Sequence, residues 1–184
     1  TVDVDQYICQ PSSAPTPDDA TGAVSLSASE VNEHAVIIPN LEPSTEYTVY
    51  AFYNGAICAR ATFTTKKGKP VGYTEYNGVE ALIADWDNLS GNILVTISAD
   101  ADLSNKSEIP AAVTNIVFWG EGATQPKLAV KNMQTLGAID KIEFYNLNIS
   151  AFSNDCVIAP NTEGSSIANI EITSCTIEND LFIF

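Results

Sequence analysis

Apolar and polar positions alternate along most of this chain in short runs, the pattern of β-strands. Tyr47, Val49, Ala51 and Tyr53 mark one face of a half-buried strand. Asn54-Gly55 then signals a hairpin, and the returning strand closes on Ala61-Thr62-Phe63-Thr64-Thr65. Upstream, Val2, Val4, Tyr7 and Ile8 predict a first strand, and Pro11 to Asp19 a loop. Val24 with Leu26, and the run Val36 to Ile38, predict two more short strands, about five in this part.

One segment has a helical period. Val79, Leu82, Ile83 and Trp86 fall at i, i+3, i+4 and i+7. This predicts a helix over Asn77 to Asn88, capped by Asn77 with Glu80 in a variant capping box.

After the helix a strand pattern repeats. Asn115-Ile116-Val117-Phe118-Trp119-Gly120, Lys141-Ile142-Glu143-Phe144-Tyr145-Asn146 and Asn169-Ile170-Glu171-Ile172-Thr173-Ser174 align without gaps. The register steps are 26 and 28 residues. The two later copies continue as Leu147-Asn148-Ile149 and Cys175-Thr176-Ile177. A second series reads Leu128-Ala129-Val130, Cys156-Val157-Ile158 and Leu181-Phe182-Ile183. A period of this length built from short strands is that of a solenoid, and without helices between them, of a parallel β-helix. Ile116, Phe118, Ile142, Phe144, Ile170 and Ile172 would point inward, like residue on like, on rungs about 4.8 Å apart. The helix is placed to cover the open sheet edge at the start of this coil. The chain ends on the apolar run Leu181 to Phe184, so further rungs are expected beyond it.

Composition shifts at Lys66-Lys67-Gly68-Lys69-Pro70. We therefore expect a sandwich-like domain over 1–66, a linker over 67–74, and a cap helix with the first rungs over 75–184. The fold class is mostly β: a partial β-sandwich followed by a capped, incomplete parallel β-helix.

Charge narrows the partners. Eight basic residues against 23 acidic ones give a net charge of −15, which argues against nucleic acid and against docking on anionic lipid. Residues 1–70 carry −4 of it and 71–184 carry −11. No apolar run is long enough for a membrane-spanning helix. The single His34 and the absence of CxxC make a zinc site or a His-based triad implausible. Cys9, Cys58, Cys156 and Cys175 are expected to be buried free thiols rather than bridges. The chain opens at Thr1 without Met, which suggests processing or excision.

Leu41-x-Pro43-x-Thr45-x-Tyr47-x-Val49 followed by Phe63-Thr64-Thr65 resembles the end of a fibronectin type III domain. The resemblance covers roughly residues 34–65 and implies that Tyr47 is the corner tyrosine. About five strands against the family's seven implies that the first two are missing. Residues 75–184 resemble the right-handed β-helix proteins of the pectate-lyase-like superfamily. The whole arrangement resembles bacterial cell-surface lipoproteins associated with carbohydrate use, many without an established function. That likeness implies an extracellular or surface location and a lipid anchor on a preceding segment.

Enzymes of the β-helix class use an Arg or Lys base, often with calcium, or clustered Asp residues. Neither set is present: Arg60 lies in the first part, and Lys141 is expected to be solvated at its strand edge. We therefore expect no complete catalytic site and no cofactor. Calcium is the one admissible ion, but Asp100-x-Asp102-x-Ser104 has Asn105 and Ala111 where a calcium loop needs Gly and Glu. Asn88, Asn105 and Asn148 head glycosylation sequons, relevant only to a eukaryotic source.

Outward positions are the candidate binding residues. Trp119 and Tyr145 share a register on adjacent rungs, as a platform for sugar rings unless a loop or the first domain covers them. Glu143 and Glu171 also share one; stacked carboxylates recruit a cation, shift a pKa or fan into water. The function expected is that of a surface protein that binds polysaccharide. The alternatives are a polysaccharide lyase or glycoside hydrolase active on later rungs, and an adhesin or structural stalk.

Overall fold

The structure, a computed structural model, describes residues 4–151, 155–159 and 163–178. It divides into two units, Thr1–Gly68 and Lys69–Phe184.

In the first unit, β1 (Gln6–Pro11), β2 (Val24–Ser25), β3 (Glu46–Tyr53) and β4 (Ala56–Thr64) form one antiparallel sheet in the order β2-β1-β3-β4. Among the described residues this unit holds a single sheet, whereas a sandwich has two. Asn54 and Gly55 both adopt positive φ, 51° and 77°, as a tight turn matched to strand twist requires. Cys58 is an extra residue in β4, because Ala51 pairs with Ala59 while Phe52 pairs with Ile57. Tyr47 and Phe63 pair across β3 and β4 with ring centroids 6.1 Å apart. The Glu42 N–H donates to the Tyr47 hydroxyl at 2.9 Å, pinning the entry to β3.

Two features of this unit differ from expectation. Val36 to Ile38 forms no strand, so the described residues hold four strands rather than five. A helix, α1 (Ala28–Glu33), stands just before it. Ser27 caps it, and Glu30 closes a capping box by accepting from the Ser27 N–H at 2.7 Å.

The second unit coils. β5 (Thr74–Asn77) leads into α2 (Val79–Ala84), a 3-10 turn at Trp86–Asn88, and β6 (Gly91–Ile97). Then follow β7 (Ala101–Asp102), β8 (Glu108–Ile109), β9 (Val113–Gly120), β10 (Lys127–Val130), β11 (Gln134–Thr135) and β12 (Ala138–Tyr145). β13 (Asn148–Ala151), β14 (Ser166–Thr173) and β15 (Thr176–Glu178) complete it. The strands stack into parallel sheets: β14-β12-β9-β6-β5, β15-β13-β10-β7 and β11-β8. This is a β-solenoid of about three turns.

Rung register follows the repeat. Asn115, Lys141 and Asn169 lie side by side, as do Ile116, Ile142 and Ile170, and Phe118, Phe144 and Ile172. The Phe118 and Phe144 rings stack at 5.3 Å and 13°, and both are fully buried. Stacking like on like lets each rung fill the space under the next at interior packing density. An earlier rung precedes these: Asn92, Ile93 and Val95 of β6 pair with Asn115, Ile116 and Phe118.

The second series stacks differently from its expected alignment. Leu128 pairs with Ile149, and Ile149 with Ile177, so β10 continues into the runs after each Asn/Ser corner. Ile158 bridges to Met133 instead. Leu181-Phe182-Ile183 lies outside the described residues.

The α2 stripe joins the core, with Val79, Leu82 and Trp86 buried alongside Ile93 and Val95. Its N-cap is Gly78, at φ 93°, and not Asn77. Asn77 ends β5 and accepts from the Thr96 hydroxyl at 3.1 Å, which commits its side chain to the sheet.

Candidate functional site

The outward face of the five-stranded sheet gathers every residue the sequence singled out for binding. From Lys141 onward, alternation along β12 sends Ile142 and Phe144 inward and Lys141, Glu143 and Tyr145 outward. Three outward rows result. The first holds Asn92, Asn115, Lys141 and Asn169; the second Leu94, Val117, Glu143 and Glu171; the third Thr96, Trp119, Tyr145 and Thr173.

Trp119 and Tyr145 do meet, with ring centroids 3.9 Å apart and planes at 15°. They are not an exposed platform. Each retains 7% of its surface, within a cluster with Leu94 and Val117 against which Tyr73 packs. The reason is energetic: two large rings side by side with Leu and Val make an apolar patch whose burial is favourable. Of the two readings open for this pair, an exposed platform or covered rings, the burial favours the covered one.

Lys141 is not solvated at a strand edge either. Its Nζ lies 2.7 Å from Glu143 Oε2 and 3.6 Å from Glu171 Oε2. Glu143 is 1% exposed, while the Glu171 side chain keeps 45%. The two carboxylates share a cation from the chain itself, the lysine two residues before Glu143. Burial works against the charged Lys141, but the hydrogen bond and charge of Glu143, with Glu171 and Tyr73, outweigh it and raise its pKa above an ordinary lysine's.

Amides extend the polar row. Asn115 Nδ2 donates to Asn92 Oδ1 at 2.8 Å, and Asn169 Nδ2 donates to the Asp140 carbonyl at 3.2 Å. Asn92 and Asn169 are exposed and Asn115 half-buried. Lys69 joins the strand edges from the segment before β5, reaching Glu121 at 2.6 Å and Glu75 at 3.2 Å.

The acidic turn at Asp100 to Ser104 is built for structure. Asp102 Oδ1 accepts from the Ser104 N–H and Asp100 Oδ1 from the Lys127 N–H, both at 2.8 Å. Among the described residues, no group of three His, Cys, Asp or Glu side chains is placed to hold a metal ion. No described helix is long and apolar enough to cross a membrane. The four cysteines are free thiols; Cys156 is buried, Cys9 and Cys175 are half-buried, and Cys58 is exposed rather than buried.

The sequence reading missed Asn92 and its rung, because the step from Ile93 to Ile116 is 23 residues and not 26 or 28. The repeated Asn-Ile-x-Val/Phe was the available signal. It also missed the Lys141 bridge, for which the i, i+2 spacing of Lys141 and Glu143 on one strand face was the signal. No protein-family model matches this chain, and no curated protein or solved structure matches it.

Proposed function

We propose that this is a cell-surface, carbohydrate-associated protein that holds a neutral glycan along the solvent-accessible polar row on the outward side of its five-stranded sheet. The observation that carries the reading is the polar row Asn92, Asn115, Lys141 and Asn169, set at rung spacing beside Glu171. Amides and a lysine give donors and acceptors in a line, and sugar hydroxyls need both. A glycan running across the strands would meet one such group per rung. The net charge of −15 favours a neutral chain over an acidic one.

The first unit is read as a fibronectin type III-like spacer, supported by the Tyr47 corner hydrogen bond. The second is read as pectate-lyase-like in its coil, carrying binding and not a complete catalytic set.

The test is electrophoresis of the native chain through gels containing neutral or acidic polysaccharides. Retardation by a neutral polymer supports the reading. Unchanged mobility in every gel contradicts it. A structural stalk is the second reading, favoured by the burial of Trp119 and Tyr145, and it predicts no retardation at all.

A further inference from the structure

A concavity lies in the solenoid unit, and it shares no residue with the sheet face. The 3-10 turn after α2, the loop between β7 and β9, and Leu136 just after β11 border an open depression of about 420 Å³. Trp86, Asp87, Asn105, Lys106, Glu108 and Leu136 line it. Pockets that hold small molecules begin at roughly 300 Å³, so this one admits a sugar ring or two.

Its parts are held in place. The Trp86 indole N–H donates to the Glu108 carbonyl at 3.1 Å, which fixes the ring plane. Gln134 Nε2 donates to Glu108 Oε1 at 3.2 Å, which orients that carboxylate. Lys106 Nζ sits 5.7 Å from the centre of the Trp86 ring, where an aromatic face attracts a cation. Leu136 is an apolar wall that keeps 49% of its surface exposed, although large aliphatic side chains are usually more deeply buried.

The lining selects a ligand class by its charges. Asp87 and Glu108 disfavour an anion. Lys106 already occupies the cation position on Trp86 and disfavours a second cation. What remains is a neutral ligand that donates and accepts hydrogen bonds on one side and presents C–H groups on the other. Asn105 and Lys106 donate, Asp87 and Glu108 accept, and Leu136 with the edge of Trp86 meets the apolar side.

We infer that the pocket between Trp86 and Leu136 binds one neutral saccharide unit, separately from the sheet face. The inference does not rest on the sheet-face reading, since its residues, position and ligand size are different.

The experiment is a titration of the ¹⁵N-labelled 184-residue chain, followed by amide shifts. The probes are methyl glucoside, methyl galactoside and N-acetylglucosamine, with glucuronate and glucosamine as charged controls. The expected result is saturable shifts confined to residues 85–88, 105–111 and 134–137 with a neutral probe. Asp87→Asn and Asn105→Ala, both at exposed positions, are each expected to weaken that binding at least fivefold and leave the remaining spectrum unchanged. Shifts only with a charged probe, shifts elsewhere, no shifts with any neutral probe, or full binding by both variants would each overturn the inference.

Discussion

Lys141 and Glu143, two residues apart on β12, form an ion pair of 2.7 Å on the outward face of the sheet, and Glu143 is 1% exposed. The same ammonium reaches Glu171 on the next rung at 3.6 Å. One lysine thereby makes a stack of acidic positions tolerable in a chain of net charge −15.

Removing that lysine leaves a buried carboxylate without its cation. Lys141→Met should therefore destabilise the solenoid, by less than the roughly 3–5 kcal/mol of a fully buried pair because Lys141 keeps 23% exposure. The pH dependence has a definite sign. The folded pKa of Lys141 lies above its unfolded value, about 10.4. Its contribution is complete below that pH and is lost as pH rises through the folded pKa. Urea midpoints across the alkaline range should fall more steeply for the native chain than for Lys141→Met. Parallel curves would show that the pair carries no such linkage.

Gly120 ends β9 where the chain turns, directly against the next rung. A Cβ there would overlap the Asn146 carbonyl oxygen. Asn146 cannot yield easily, since its own Nδ2 donates to the Gly120 carbonyl at 3.0 Å and its N–H donates to Thr173. Gly120→Ala should cost about 1–3 kcal/mol, read as a lowered denaturation midpoint. An unchanged midpoint would contradict this close approach of adjacent corners.

Phe144 stacks on Phe118 and occupies the row continued by Ile172. Phe144→Ala should cost about 3–5 kcal/mol, since fixed neighbours on both sides keep the cavity from collapsing. A loss below 1 kcal/mol in calorimetric unfolding would argue against a packed interior at this rung.

The thiols should differ in reactivity. Cys58 is exposed in β4, while Cys156 is buried with its Sγ 3.1 Å from the Ile158 carbonyl. Burial pushes the Cys9 and Cys175 thiols up, which lowers their thiolate fraction. Brief maleimide treatment at neutral pH, followed by peptide mass mapping, should find Cys58 modified first and Cys156 only after denaturation. Early modification of Cys156 would contradict the closed core.

Much of the solenoid was legible because its rungs repeat chemistry at fixed offsets. The gapless alignment of Ile116, Ile142 and Ile170 predicts the observed pairing residue for residue. The rung at Asn92 was hidden by its shorter connection, and α1 by a strand-like run beside it, although Ser27 and Glu30 spell its capping box. The pairing of Leu128 with Ile149 depends on where the chain corners, which hydrophobic pattern alone does not fix. Alternation shows which face Trp119 and Tyr145 occupy, but not what lies against that face. For the same reason Glu143 reads as solvated in sequence and is buried in the structure.

The most direct test of the glycan-binding account is calorimetric titration of a neutral polysaccharide into the native chain and into an Asn115→Ala, Asn169→Ala double variant. Both side chains stand in the outward polar row, and neither belongs to the buried core. The account predicts measurable binding by the native chain and at least a tenfold weaker affinity in the variant, with an unfolding midpoint lowered only as far as the loss of two exposed hydrogen bonds accounts for. Equal affinity in the two proteins, or no heat with any neutral polymer, would contradict it.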